Sequence, residues 1–289
     1  MKDKGKIALI LAGAACAAVI VTMTAASSNG DKGGVETGTM KKAKKKEGAA
    51  LPVGQRFHGE TSLGPAGAPG DALAPKPARP PLYKTYKKAK VVKLPKAADG
   101  AMTVEQAIDK RRSVRAYTKE AMTMAELSRL LHAAQGITAS ADGHDLRAAP
   151  SGGALYPIEI YPVVNNVEGL DSGIYHYRVP DHALELVKAG DFSGAIEKAG
   201  LGQGMLGDAD VTIVMSAVFD RSRCKYGERG LRYIYMEAGH ISQNIWLQAV
   251  ALGMGSAVAG AFFDDKANKL LGLDGKDEAV LYMQAVGTI

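Results

Sequence analysis

A break in composition near residue 100 limits how much of this chain can fold around one core. Residues 1–100 carry 18 Lys and Arg against 7 Asp and Glu, whereas residues 101–289 carry 18 against 23. The net charge of +6 and the isoelectric point of 9.1 therefore belong to the first hundred residues. The remainder is acidic. That excludes nucleic acid as a partner of the folded part, because phosphate neutralisation needs a positive surface. Its roughly 190 residues are enough for one core of enzyme size.

The basic part is itself of two kinds. Lys2, Lys4 and Lys6 precede an uncharged run from Ile7 to Ser28. About twenty apolar residues match a bilayer core at about 1.5 Å per residue. Residues 1–28 are therefore expected to be an N-terminal hydrophobic segment. An uncleaved membrane anchor ranks first, a signal peptide ending near Thr24-Ala25-Ala26 second, and a lipoprotein site at Cys16 third. Either of the first two makes the protein membrane-anchored or exported. Lysines 41, 42, 44, 45 and 46 follow the run, so basic residues on both flanks leave the orientation open. From 29 to 94 the chain is mostly Gly, Ala, Pro and Lys without periodicity, which predicts a disordered linker.

Residues 95–289 carry the element signals. Thr103-Val-Glu-Gln106 and Thr123-Met-Ala-Glu126 are capping boxes that open two helices. Ile158–Val164, Ile174–Tyr177, Leu184–Val187, Asp210–Val218 and Ala279–Val286 read as strands, and Ser256–Gly260 as a strand or turn. The stretch 230–252 is the longest helix, with Ile234, Ala238, Ile241, Ile245 and Leu252 as its apolar stripe. Helices alternating with strands that look partly antiparallel give an α+β class, a mixed and mostly antiparallel sheet covered by helices. Met236, Met254 and Met283 are expected as filler in that core. His240 is expected as a packed, hydrogen-bonded histidine, and Trp246 in the core or at a dimer interface.

Cys16 and Cys224 show no metal spacing, and the six histidines form no HxxxH or HxH pattern, so no metal is expected. His176 and His182 flank a strand turn and are expected at the surface. The chemistry is concentrated elsewhere. Arg111-Arg-Ser-Val-Arg115 offers guanidinium forks and a hydroxyl, the donor set that captures a phosphate. Ala149-Pro-Ser-Gly-Gly-Ala-Leu-Tyr-Pro157 is a loop whose missing side chains let the backbone approach a flat ligand. The two together suggest a phosphorylated planar cofactor.

Five segments in this order, Arg111–Arg115, Ala149–Pro157, Lys225–Arg229, Glu237–Asn244 and Ala251–Gly260, resemble the nitroreductase-like flavin enzymes and, within them, the SagB-type dehydrogenases. The resemblance covers about residues 95–287. It implies FMN, bound at the interface of a homodimer, and no GxGxxG loop follows a strand to suggest a dinucleotide. Carried over by position, Arg111, Ser113 and Arg115, with Arg112 beside them, look like the phosphate and ribityl clamp. Pro150, Ser151 and Gly152 look like the loop along the isoalloxazine ring. Gln243 and Asn244 look like flavin-edge contacts, and Ala259 and Gly260 like the segment whose backbone N–H faces flavin N5. Lys225 and Tyr226 look like a proton-handling pair, with Arg221, Arg223 and Arg229 near enough in sequence to ease deprotonation of the lysine.

The activity implied is transfer of hydride between flavin and NAD(P)H or another reductant on one side, and a small organic or modified-peptide substrate on the other. The competing reading is a membrane-tethered sensor or electron-relay module that binds flavin without turnover. One departure stands out. Family members often carry Lys or Arg after the final strand to contact the phosphate, and here the chain reads Val286-Gly-Thr-Ile289.

Overall fold

The computed structural model describes residues 51–72, 75–97, 100–141 and 143–289. The apolar run Ile7–Ser28 lies outside them, as does the basic stretch after it. Among the described residues no helix is long and apolar enough to cross a membrane.

The elements run α1 (Val53–Glu60), β1 (Val91–Lys93), α2 (Val104–Lys110), α3 (Met124–Gln135), β2 (Ile137–Ala141), β3 (His144–Arg147), β4 (Ile158–Val164), β5 (Gly173–Arg178) and β6 (Ala183–Ala189). They continue as α4 (Ser193–Ala199), α5 (Met205–Asp208), β7 (Val211–Val218), α6 (Asp220–Tyr226), α7 (Gly230–Ala251), β8 (Gly255–Ala259), α8 (Asp264–Leu271) and β9 (Glu278–Gly287). Seven strands form one antiparallel sheet in the order β1-β6-β5-β4-β7-β9-β8, and β2 and β3 form a separate hairpin.

The middle of the sheet is buried on both faces, as its unbroken apolar runs require. Each residue of β4 is buried, and so is nearly all of β7. Against one face lie α3 and α7, with Leu127, Leu130 and Leu131 meeting Ile234, Ile241 and Ile245. Each such side chain contributes about 1.5–3 kcal/mol by leaving water. On the other face α4 and α8 cover Tyr161, Val214 and Met283. Both capping boxes form: Thr103 and Thr123 each accept the backbone N–H three residues on, and Gln106 and Glu126 reach back.

The linker expected over 29–94 is corrected for the described residues after 50. Val91–Lys93 joins the sheet as β1, in register with Ala183–Glu185 of β6. Lys84 pairs with Glu278 and donates to the Tyr161 hydroxyl at 2.8 Å, while Tyr86 meets that hydroxyl at 3.0 Å. Apart from the short α1 and β1, this stretch has no apolar periodicity. It docks instead through single polar and aromatic side chains, which leave no periodic signal.

His176 is a second correction, because it is 1% exposed. It lies mid-strand on β5, with Nε2 2.8 Å from Glu159 of β4 and Nδ1 3.0 Å from Glu185 of β6. Glu159 also pairs with Arg221 at 2.7 Å. Burial alone would raise the Glu159 carboxyl, but the His176 hydrogen bond and the Arg221 charge outweigh it and hold it below the ordinary range.

Candidate functional site

The 22-residue helix α7 organises the site residues into two groups, one toward each end. Toward its C-terminal end, Trp246 holds the arginine segment. Its indole N–H is within bonding distance of the carbonyls of Arg112 and Ser256, at 3.3 and 3.1 Å. The Arg111 guanidinium stacks on its ring at 4.6 Å. Arg111 ends α2, and Ser113 bridges to Ser256 at the start of β8 while Val114 donates to the same carbonyl. The sequence thus brings Arg111–Arg115 against β8, the edge strand that leads to Ala259 and Gly260. Arg112, Ser113 and Arg115 are exposed, and Arg112 donates only to nearby carbonyls. Among the described residues none of the three arginines forms an ion pair. Such a donor set suits an anion.

Toward the N-terminal end of α7 lies the Pro150–Gly153 loop. Ser151 Oγ accepts the Tyr156 N–H at 2.9 Å, which closes the loop on itself. Gly153 has φ +66°, and a Cβ there would stand 2.7 Å from the Tyr226 hydroxyl and 2.8 Å from Lys225 Nζ. A side chain here would be strained by the backbone and would have to displace both side-chain ends, so the position favours glycine and the loop lies beside Lys225 and Tyr226. Tyr226 packs edge-on against Tyr233 of α7, centroids 4.9 Å apart, and Arg229 Nε donates to the Tyr233 hydroxyl at 2.8 Å. Lys225 and Tyr226 end the helix α6, with Lys225 exposed and Tyr226 half-buried. The arginines expected to crowd Lys225 have partners of their own: Arg221 pairs with Glu159, Arg223 with Asp220 and Glu228, and Arg229 bonds Tyr233.

The two residues expected at the flavin edge stand differently on α7. Asn244 points inward, and its amide nitrogen bonds the carbonyls of Ala133 and Ala148 at 3.1 and 3.3 Å, so it staples α7 to its neighbours. Gln243 is exposed. Met236, expected in the core, is 58% exposed, and Tyr235 beside it is 53% exposed. His240, expected to be packed, is exposed as well. These residues make one outward face of α7, while Met254 and Met283 are buried as expected.

Sequence reasoning missed Glu237. It is 2% exposed, beneath Ser151, with Gln135 and Arg147 around it. Burial pushes its carboxyl up to about 7, against the pull of the nearby Ser151 hydroxyl and the Arg147 charge. Its Oε1, the Arg147 Nε and the Gln135 Nε2 are buried without partners among the described residues. The signal was legible: position 237 falls three residues after Ile234 and four before Ile241, on the apolar stripe, where a carboxylate is costly.

Residues 108–288 match the profile of the nitroreductase family. A protein of Methanocaldococcus jannaschii named as a nitroreductase is 37% identical over 168 residues, 58% of this chain and 83% of its own. The microcin B17-processing protein McbC of Escherichia coli is 32% identical over 148 residues, half of this chain and 54% of its own length. Among solved structures, an Anabaena variabilis nitroreductase-like protein superposes with a TM-score of 0.67 at 28% identity, covering 86% of this chain and 50% of its own. The Escherichia coli microcin synthetase McbBCD complex with truncated pro-MccB17 bound gives 0.54 at 25% identity, covering 82% of this chain and 92% of that one. The chain thus spans about half the length of McbC and of the Anabaena structure.

Proposed function

Because this chain belongs to the nitroreductase family and its relatives include SagB-like processing proteins, we propose that it is an FMN-dependent dehydrogenase of SagB type. Its substrate is a small organic molecule or a modified peptide. The observation that supports this reading is the place of Lys225 and Tyr226 beside the glycine loop, where a side chain at position 153 would meet Lys225 Nζ and the Tyr226 hydroxyl. A proton-handling pair at the edge of a bare loop is what removal of hydride from carbon requires.

The residues present fit the cofactor. Arg111, Arg112, Ser113 and Arg115 would hold the phosphate and ribityl chain, the last three as exposed donors and all three arginines without a carboxylate partner among the described residues. The loop Pro150–Gly152 would lie along the ring, and Ala259 and Gly260 would offer backbone from the edge strand. FMN, when bound, supplies an atom that takes and returns hydride. The protein does the rest. Lys225 accepts the proton that the carbon loses, Tyr226 orients it, and Tyr233 with Arg229 fixes the tyrosine ring.

The separation of the two groups supports a homodimer. From Tyr233 to Trp246 is thirteen residues, about 20 Å of helix, which exceeds what one phosphate-to-ring span of FMN needs. A two-fold axis crossing α7 would set the Lys225 end of one protomer beside the Arg115 end of its partner, and the outward face at Tyr235, Met236 and His240 would be its contact. Oxidation of the substrate leaves the flavin reduced, so an electron acceptor such as dioxygen must take that hydride to complete the cycle. NAD(P)H would serve as the donor only where the substrate is the one reduced. The run Ile7–Ser28 would anchor or export the protein.

The test is direct. The full chain should purify yellow with FMN, bleach on anaerobic addition of NADH or NADPH, and oxidise a thiazoline-containing peptide. Lys225→Ala and Tyr226→Phe should bleach normally and lose the oxidation. A stable yellow protein that no nicotinamide reduces would point to a binding module without turnover.

A further inference from the structure

The family match begins at residue 108, yet residues 51–72 and Lys76 hold the Lys225–Arg232 stretch from outside it. Four contacts fall along that stretch in order. Lys76 Nζ donates to the Lys225 carbonyl at 3.2 Å. Asp71 Oδ1 accepts the Glu228 N–H at 2.9 Å. The Thr61 carbonyl accepts from Arg229 Nη1 at 3.0 Å, and Thr61 Oγ1 from Arg232 Nε at 2.7 Å. Thr61 is buried, and Arg232 also lies over the Phe57 ring of α1.

Asp71 does more than satisfy one donor. Gly227 follows Tyr226 with φ +56° and ψ −146°, and a Cβ there would collide with the Asp71 carboxylate. The turn that ends α6 is therefore shaped around that carboxylate. It needs support, because α6 has only seven residues and the terminal turn of a short helix frays unless its free backbone groups find partners. Here Lys76 takes the Lys225 carbonyl and Asp71 takes the Glu228 amide, one on each side of the Tyr226–Gly227 peptide.

We propose that Asp71 and Thr61 are positioning residues of the candidate active site: residues 51–72 with Lys76 form a bracket that fixes the turn after Tyr226 and so holds Lys225 and Tyr226 beside the Gly153 loop. The inference rests on the reading of Lys225 and Tyr226 given above. It makes this part of the N-terminal region a component of the site rather than a tether to it.

The experiment reads Lys225 itself, in the full chain, as the rate of trinitrophenylation mapped by peptide mass analysis from neutral to alkaline pH. In Asp71→Ala the Lys225 rate should rise about threefold or more as the turn opens locally. Lys84 and Lys188, which are held by Glu278 and by the Leu270 carbonyl, should keep their rates. Asp71→Asn keeps an oxygen for the Glu228 N–H and should return Lys225 to the parent profile. With the thiazoline peptide, Asp71→Ala should lower kcat and leave KM unchanged, and Thr61→Val should do the same more weakly. If Asp71→Ala does not fold, Asp71→Asn with Lys76→Ala carries the test, the latter raising the Lys225 rate. An unchanged Lys225 profile in the folded bracket variants overturns the proposal. So does a profile that Asn fails to restore while the melting temperature falls as it does for Ala. The catalytic reading fails separately: Lys225→Ala and Tyr226→Phe that oxidise the peptide normally would sink it, whatever the labelling shows.

Discussion

The two ends of α7 are built on different principles. At the N-terminal end the polar groups have found partners within the chain: Arg223 with Asp220 and Glu228, Glu228 with Asp71, Arg229 with Tyr233. At the C-terminal end Arg112, Ser113 and Arg115 stand exposed, secured through the backbone by Trp246 and β8, and neither arginine forms an ion pair among the described residues. The first arrangement is preorganised, so its geometry exists before any ligand arrives. The second is a charge reservoir whose energy appears only when an anion binds. Proton transfer demands fixed distances, whereas phosphate capture tolerates mobile guanidinium arms.

The strongest break of that comparison would come from keeping the two ends in separate molecules. Met236→Glu puts a charge on the exposed face of α7, and burying it unpaired between protomers costs several kcal/mol. The expected outcome is a sedimentation shift to monomer together with loss of bound flavin. A monomer that keeps stoichiometric FMN would show that each chain completes its own site.

Glu237 tests how far the preorganised end is held together by a neutral carboxyl. Burial raises its folded-state value to about 7 from an ordinary carboxylate value of 4.5. The folded state therefore binds the proton more tightly than the unfolded chain does. That contribution is complete below the unfolded value and is lost as pH rises through about 7, amounting to about 3 kcal/mol. Denaturant unfolding near pH 5 and near pH 8 should show this loss in the parent and none in Glu237→Gln. An equal loss in the variant would assign it to other groups.

The arginine end sharpens by subtraction. Arg115→Ala should weaken FMN binding by about 1.5–3 kcal/mol, roughly ten- to hundredfold in Kd by fluorescence titration. Arg112→Ala should cost less than about 1 kcal/mol, since its guanidinium already serves the carbonyls of Asp109 and Arg111. Equal losses would mean that the ligand pulls Arg112 away from those carbonyls.

Local signals survived into the structure where neighbours in sequence decide the outcome. The capping boxes at Thr103 and Thr123, the apolar strands β4 and β7, and the stripe of α7 are of this kind. The site was legible as segments and not as an arrangement. Nothing in Arg111–Arg115 or Pro150–Gly153 says that they lie near opposite ends of one helix. His176 looked like a turn histidine because the carboxylates that bury it, Glu159 and Glu185, come from two other strands.

By itself the sequence determined the class of fold, the family and the chemistry available, since periodicity, caps and motif order are properties of contiguous residues. Only the tertiary structure decided that Glu237 is buried under the Ser151 loop, that Lys225 and Tyr226 lie where a side chain at 153 would stand, and that Asp71 and Lys76 meet the turn that follows that pair. The physical reason is common to all three. Each is a contact between residues with no periodic relation, made by one or two polar atoms whose worth depends on being withdrawn from water by the rest of the fold.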